Sequence, residues 1–230
     1  LVQGFAVGGE WGGAVLMAVE HGHRGRRGLY GSWVQAGVPA GLLLANGVFM
    51  LASLMPDEHF LSWGWRVPFL VGIALLAVGT FIRLQIVESP LFARVRDERQ
   101  QAKIPFFEVL RRHPRNVLLA MGARFADNGS FYVFTVFVLT YATLEVGVAR
   151  AAVLNGVLVA SAVQFVVIPA FGLLSDRVGR RPVYLAGAAA VALFAFPFFW
   201  LIDTGSVLLV GLSIVVALVA HAAMYAPQAA

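Results

Sequence analysis

Four polar residues interrupt one long apolar run: Arg124, Asp127, Asn128 and Tyr132 lie within residues 117–142. Arg124 and Asp127 are three apart, so a helix sets them on one face, with Tyr132 on the neighbouring turn. Opposite charges at this spacing neutralise each other in part, yet inside a membrane they still need a wet or polar surrounding. The pair reads either as a structural ion pair or as a contact for a charged solute, and function is the default for ionisable groups at that depth. A guanidinium suits bidentate pairing with a carboxylate. A neighbouring acid that accepts a proton sheds its charge before it meets low dielectric. Arg124 is therefore the candidate for holding an organic acid, with Asn128, Gln35 and Tyr132 adding hydrogen bonds. Asp127 and Glu10 are the candidates for taking up a proton. Glu10 sits in the middle of the opening apolar segment and reads equally as a paired structural carboxylate; Glu20, beside Arg24, Arg26 and Arg27, reads first as a surface ion pair.

A second constellation is the string Gly172-Leu173-Leu174-Ser175-Asp176-Arg177-Val178-Gly179-Arg180-Arg181. It lies between two uncharged apolar runs, 151–171 and 183–202, and predicts a short charged turn at a membrane surface. Gly179 lets the backbone bend at little steric cost. Asp176 suits the positive end of a helix, and Arg177, Arg180 and Arg181 suit carboxylates or lipid phosphate.

The elements that must carry these residues are membrane helices. The chain is 60% hydrophobic and 13% charged, well away from the balance of a water-soluble domain. Seven apolar spans are expected, at 1–20, 28–55, 67–86, 117–142, 153–174, 183–202 and 207–230, the first and last incomplete, so the chain reads as an internal piece of a longer protein. Gly4, Gly8 and Gly12, with Gly9 and Gly13 beside them, predict a close helix contact. Gly37, Pro39 and Gly41 predict a kink in the second span. The long polar stretch 87–116 holds Arg94, Arg96, Arg99, Lys103, Arg111, Arg112 and Arg115 and predicts a short interfacial helix around Phe106, Phe107, Val109 and Leu110. Basic residues fall on alternate loops, which places 24–27, 87–116 and 177–181 in the cytoplasm. The net charge of +5 thus reflects loop topology, not nucleic-acid binding. The absence of cysteine excludes disulfides and thiolate chemistry. His21 and His23 read as a solvated loop, so no metal or cofactor is expected. No intramembrane protease or hydrolase motif is found, which argues against an enzyme.

The ten-residue string resembles the signature loop of the major facilitator superfamily, Gly-x-Leu-Ala/Ser-Asp-x-x-Gly-Arg-Arg. Three further strings are similar to the metabolite:proton symporters of that superfamily: 3–13 with its Gly-Gly-Glu-Trp-Gly-Gly core, 62–69, and Glu88-Ser89-Pro90. The likeness covers essentially the whole chain and is nearest to shikimate-transporter-like members. It implies an all-α membrane bundle, with 1–90 as helices four to six of an N-terminal bundle, 91–116 as a cytoplasmic interbundle loop, and 117–230 as helices seven to ten of a C-terminal bundle. It implies a secondary transporter in the bacterial inner membrane, importing a small organic acid or related metabolite with a proton by alternating access. Its partners are then the small-molecule substrate, the proton, the lipid bilayer and the remaining helices of its own chain. By the pseudo-symmetry of the two halves, Asp176 should approach the N-terminus of the span beginning near Gly28. Together with Arg177, Gly179, Arg180 and Arg181 it would form a gate, an arginine pairing with Glu88 or Glu20. A drug or metabolite antiporter of the same superfamily is the alternative, and a seven-helix receptor a more distant one.

Overall fold

The computed structural model describes residues 2–23, 25–85 and 105–229; for 2–7, 83, 85 and 105–108 only the backbone is described. The described residues are almost entirely helical. The helices are α1 (Val2–His21), α2 (Arg27–Ala52), α3 (Asp57–Ser62), α4 (Val67–Gln85), α5 (Pro105–Arg112), α6 (Pro114–Tyr132), α7 (Val138–Leu144), α8 (Arg150–Val178), α9 (Arg180–Asp203) and α10 (Val207–Tyr225). A 3-10 turn, Gly64–Arg66, leads into α4, and another, Ala226–Ala229, ends the described chain. Arg66 lies over the Trp65 ring, 4.3 Å from its centroid, at that rim. The interfacial helix expected in the polar stretch is α5.

Five helical segments are long and apolar enough to cross a membrane: Arg27–Ala52, Gly64–Ile82, Arg150–Val178, Arg180–Asp203 and Val207–Ala229. The other two expected spans fall short on apolarity. The first, α1, is glycine-rich and carries Gln3 and Glu10. The second carries Arg124, Asp127 and Asn128, and it is not one α-helix: α6 passes through a π-helical turn, Val133–Phe137, into α7. Such turns bulge the backbone and are frequent beside functional sites.

Two other expectations are corrected. The ten-residue turn shrinks to one residue: α8 stays helical through Val178, Gly179 turns the chain at φ 104°, and α9 starts at Arg180. That φ is in a region open to glycine and costly for other residues. The second span runs on as helix through Pro39. Among the described residues nothing comes within 4 Å of a Cβ placed on Gly8, Gly9, Gly12 or Gly13. The close approaches lie elsewhere. A Cβ on Gly28 would meet the Gly172 carbonyl oxygen at 2.5 Å, one on Gly31 would meet the backbone of Ala229, and one on Gly187 would meet the backbone of Met224. Backbones approach this closely only where side chains are absent, which is how membrane helices gain packing without a solvent-driven force.

The core lies between α8, α9 and α10 and takes in the π turn. Phe134, Val138, Val153, Val157, Phe198, Ile202, Ile214 and Leu218 are buried together there. A smaller cluster of Ala36, Ile168, Ala222, Tyr225 and Ala226 joins α2 to α8 and α10. That second cluster fixes α2, from before residues 86–104, against helices from after them.

Candidate functional site

Next to the smaller cluster the helices enclose a polar centre. Arg124 and Asp127 share the inner face of α6, as their spacing requires, and Arg124 Nη1 lies 3.2 Å from Asp127 Oδ2. Asp127 is 1% exposed, whereas the Arg124 side chain keeps 34% of its surface open. The same Nη1 donates to Gln228 Oε1 at 3.0 Å. The guanidinium also sits over two aromatic rings, Trp11 of α1 at 4.6 Å and Tyr225 of α10 at 5.4 Å. A cation over such rings gains from their negative faces, more so when partly desolvated.

Trp11 and Gln35 extend the network across the molecule. Trp11 Nε1 donates to Gln35 Oε1 at 2.7 Å, and Gln35 Nε2 donates to the Tyr225 carbonyl at 3.0 Å. Gln35 is fully buried on α2. On the other side of Asp127 lies His221 of α10, its Nε2 3.0 Å from Asp127 Oδ1 and 3.3 Å from the Asp127 carbonyl oxygen. Gln164 of α8 closes the set, its Nε2 3.1 Å from His221 Nδ1 and 3.4 Å from the Leu218 carbonyl oxygen.

Of the expected site residues, Arg124, Asp127 and Gln35 come together. Asn128 is exposed, and among the described residues its side chain makes no hydrogen bond. Tyr132 is 61% exposed, with its ring against Phe131. Neither side chain hydrogen-bonds to Arg124 or Asp127 among the described residues. Glu10 is exposed on α1, one residue from Trp11. Trp11, Gln164, His221, Tyr225 and Gln228 were missed as site residues. His221 carried a signal, being the one ionisable group other than tyrosine in the run 207–230. Trp11 stands inside the Gly-Gly-Glu-Trp-Gly-Gly string.

Of the expected gate residues, Asp176, Gly179, Arg180 and Arg181 lie beside the N-terminus of α2. This helix has no side-chain cap of its own. Asp176 supplies one from α8: Oδ1 accepts from Gly28 N at 2.7 Å and Oδ2 from Leu29 N at 3.0 Å. The first amides of a helix have no partner within it, and a carboxylate there also meets the positive helix end. A cleft of about 500 Å³ opens beside this cap, lined by Gly25, Arg27, Ser175, Asp176, Gly179, Arg180 and Arg181. Arg177 is exposed in the last turn of α8. Glu20 forms no ion pair with Arg180 or Arg181; its Oε2 is buried without a hydrogen-bond partner among the described residues. Glu88 and Arg24 lie outside the described residues.

A helical bundle with spanning helices around a buried charged centre defines a membrane protein of the carrier type. The chain belongs to the Major Facilitator Superfamily, whose model matches residues 1–230. It is similar to the shikimate transporter of Escherichia coli, 42% identical over 224 residues, covering 96% of this chain and 51% of that protein. It is also similar to the inner membrane metabolite transport protein YhjE of the same organism, at 40% identity over 90% of this chain and 49% of that protein. The proline/betaine transporter of Salmonella typhimurium is 34% identical over 89% of this chain and 43% of that protein. The chain thus spans about half the length of the curated relatives it matches. No solved structure matches it. The family and these relatives are transporters, not enzymes, and the chain is a multi-pass segment of the inner-membrane kind.

Proposed function

We propose that the full-length protein imports a small organic acid together with a proton by alternating access, and that this chain supplies the end of one helix bundle, the interbundle loop and most of the other. The observation that carries this reading is Arg124: a half-open guanidinium held by Asp127 and Gln228, inside a network that runs from α1 and α2 to α6, α8 and α10. A cation so placed is both oriented and accessible, which a carboxylate substrate needs. The aromatic faces of Trp11 and Tyr225 are already occupied by that guanidinium. The cation over these rings is thus the protein's own Arg124, which supports a carboxylate as the group the centre takes. The names of the relatives supply both options, shikimate and proline/betaine.

A proton taken up at the Asp127 centre would allow the loaded carrier to reorient without a bare charge in low dielectric. The Asp176 cap would hold the cytoplasmic ends of α2 and α8 together, and its release would open that side. Asn128 and Tyr132 would join the substrate, and Glu10 the proton path, only in another conformation of the carrier. The test is uptake of labelled shikimate, with other monocarboxylic acids and glycine betaine as competitors, by the full-length protein in proteoliposomes. Arg124→Ala is expected to raise KM by at least ~10-fold, about the worth of one charge-assisted pair. Unchanged affinity and rate would remove Arg124 from the site.

A further inference from the structure

The hydrogen bonds around His221 fix where its proton sits. Its Nε2 faces the Asp127 carbonyl oxygen at 3.3 Å, and a carbonyl only accepts, so Nε2 carries hydrogen. On the far side, Gln164 Nε2 faces the Leu218 carbonyl at 3.4 Å, which likewise demands a donor and orients the amide. The other hydrogen of that NH2 group points at His221 Nδ1, 3.1 Å away, so Nδ1 accepts and the ring is neutral. Gln164 is 1% exposed, and among the described residues its Oε1 is buried without a donor, as is Asp127 Oδ1, although His221 Nε2 lies 3.0 Å from the latter. Buried acceptors are nearly always satisfied, and an exception calls for a reason. Rotating the amide would bring Oε1 to Nδ1, where it could accept a hydrogen only if His221 had gained one.

The charges close around this switch. Among the described residues of this centre, Arg124 is +1, Asp127 −1 and His221 neutral, so these three together carry no net charge. A proton on Nδ1 makes it +1, and one carboxylate held by Arg124 returns it to zero. The proton alone, or the anion alone, leaves a net charge in a buried site. Resting on the symport reading above, we propose that the coupled proton is carried by His221 at Nδ1, with Gln164 as its amide switch and Asp127 as a permanent counter-ion, and that the co-substrate is a monoanionic carboxylic acid moved electroneutrally. The bond balance is simple: a proton from water adds to the Nδ1 lone pair, the amide rotates so that Oε1 accepts it, and the Leu218 carbonyl loses its donor. Among the described residues the other polar groups near His221 are few. Tyr225 stacks on it at 5.4 Å from its own helix, and α6 presents Asp127 and beyond it Arg124. Tyr184 is the titratable side chain in the interior of α9. The charged residues of α8 (Arg150, Asp176 and Arg177) are confined to its ends.

The experiment uses the full-length protein in proteoliposomes with labelled shikimate, preceded by a panel of monocarboxylic acids. In the parent protein an inward pH gradient should drive accumulation, and a potassium-diffusion potential imposed without one should not. His221→Gln keeps a donor toward Asp127 but takes no proton. It should lose gradient-driven accumulation at least ~10-fold more strongly than substrate counterflow, which needs no net proton movement. Gln164→Glu presents a carboxylate to Nδ1 and should move the pH midpoint of uptake upward by about one unit. Parent-like accumulation by the His221 variant, an unmoved midpoint in the Gln164 variant, or uptake driven by potential alone would each overturn the assignment. If the His221 variant fails to insert, the midpoint and potential measurements decide. If the parent shows no gradient-driven uptake of any acid in the panel, the symport reading itself fails, and this one with it.

Discussion

At the scale of single residues, Arg124 shows how one cation is made both stable and available. Asp127 offsets its charge, Gln228 orients it, and Trp11 and Tyr225 sandwich it. Trp11 acts twice, through its ring face on Arg124 and through Nε1 on Gln35. The two roles separate by substitution. Trp11→Phe keeps an aromatic face and deletes the donor, leaving the buried Gln35 Oε1 without its partner. Trp11→Ala deletes both. Uptake kinetics on the full-length protein should show a KM rise of ~3–10-fold for the phenylalanine variant, in line with one lost buried hydrogen bond. The alanine variant should lose several-fold more, as a cation–π contact adds to it. Equal effects of the two would mean that the ring face contributes nothing.

At the scale of elements, the α2–α8 contact rests on glycine and on a cap borrowed from another helix. Gly28 and Gly172 let the two backbones touch, and Asp176 fills the vacant amides of α2. Gly28→Ala would drive a methyl to 2.5 Å from the Gly172 carbonyl oxygen and from Ser175 Oγ. Overpacking of this kind costs roughly 1–3 kcal/mol, to be read as a lowered unfolding midpoint of the purified full-length protein in detergent. Gly28→Ala with an unshifted midpoint would show that this contact is not made in the resting protein. Asp176→Ala removes both cap hydrogen bonds, worth about 0.3–2 kcal/mol at a helix N-terminus. Asp176→Asn keeps one acceptor but not the charge and should fall between. An asparagine variant as defective as alanine would assign the effect to charge, and one matching the parent would assign it to hydrogen bonding.

At the scale of the whole molecule, helices on both sides of residues 86–104 meet at two levels: the Asp176 cap at one end of α2, and the Trp11–Gln35–Tyr225–Arg124 network deeper in. On the gating role proposed above for Asp176, the cap would be one of the contacts that close the cytoplasmic side. In a full-length protein freed of any cysteine outside this chain, which itself has none, spin labels can be placed at Gly25, which lines the cleft, and at the exposed Val178, in the last turn of α8. Double electron–electron resonance on the full-length protein should then show a short distance population that lengthens in Asp176→Ala. Identical distributions in parent and variant would remove the cap from control of opening.

The string 172–181, the apolar runs with arginine biased to alternate loops, and the three-residue spacing of Arg124 and Asp127 pointed in turn to the superfamily, the membrane-helix architecture and the ion pair, because each is a local or periodic property of the chain. The same strings did not reveal that the turn would shrink to Gly179, since helix continuation through Asp176 and Arg177 depends on what Asp176 can cap across the interface. Nor did they reveal that Asn128 and Tyr132 would turn away while His221 and Gln164 turned in. His221 lies 94 positions from Asp127, and nothing local records that separation being closed. Only the packing of α6, α8 and α10 brings the imidazole to the carboxylate, and only at that distance does a lone histidine in an apolar run become part of a charge centre.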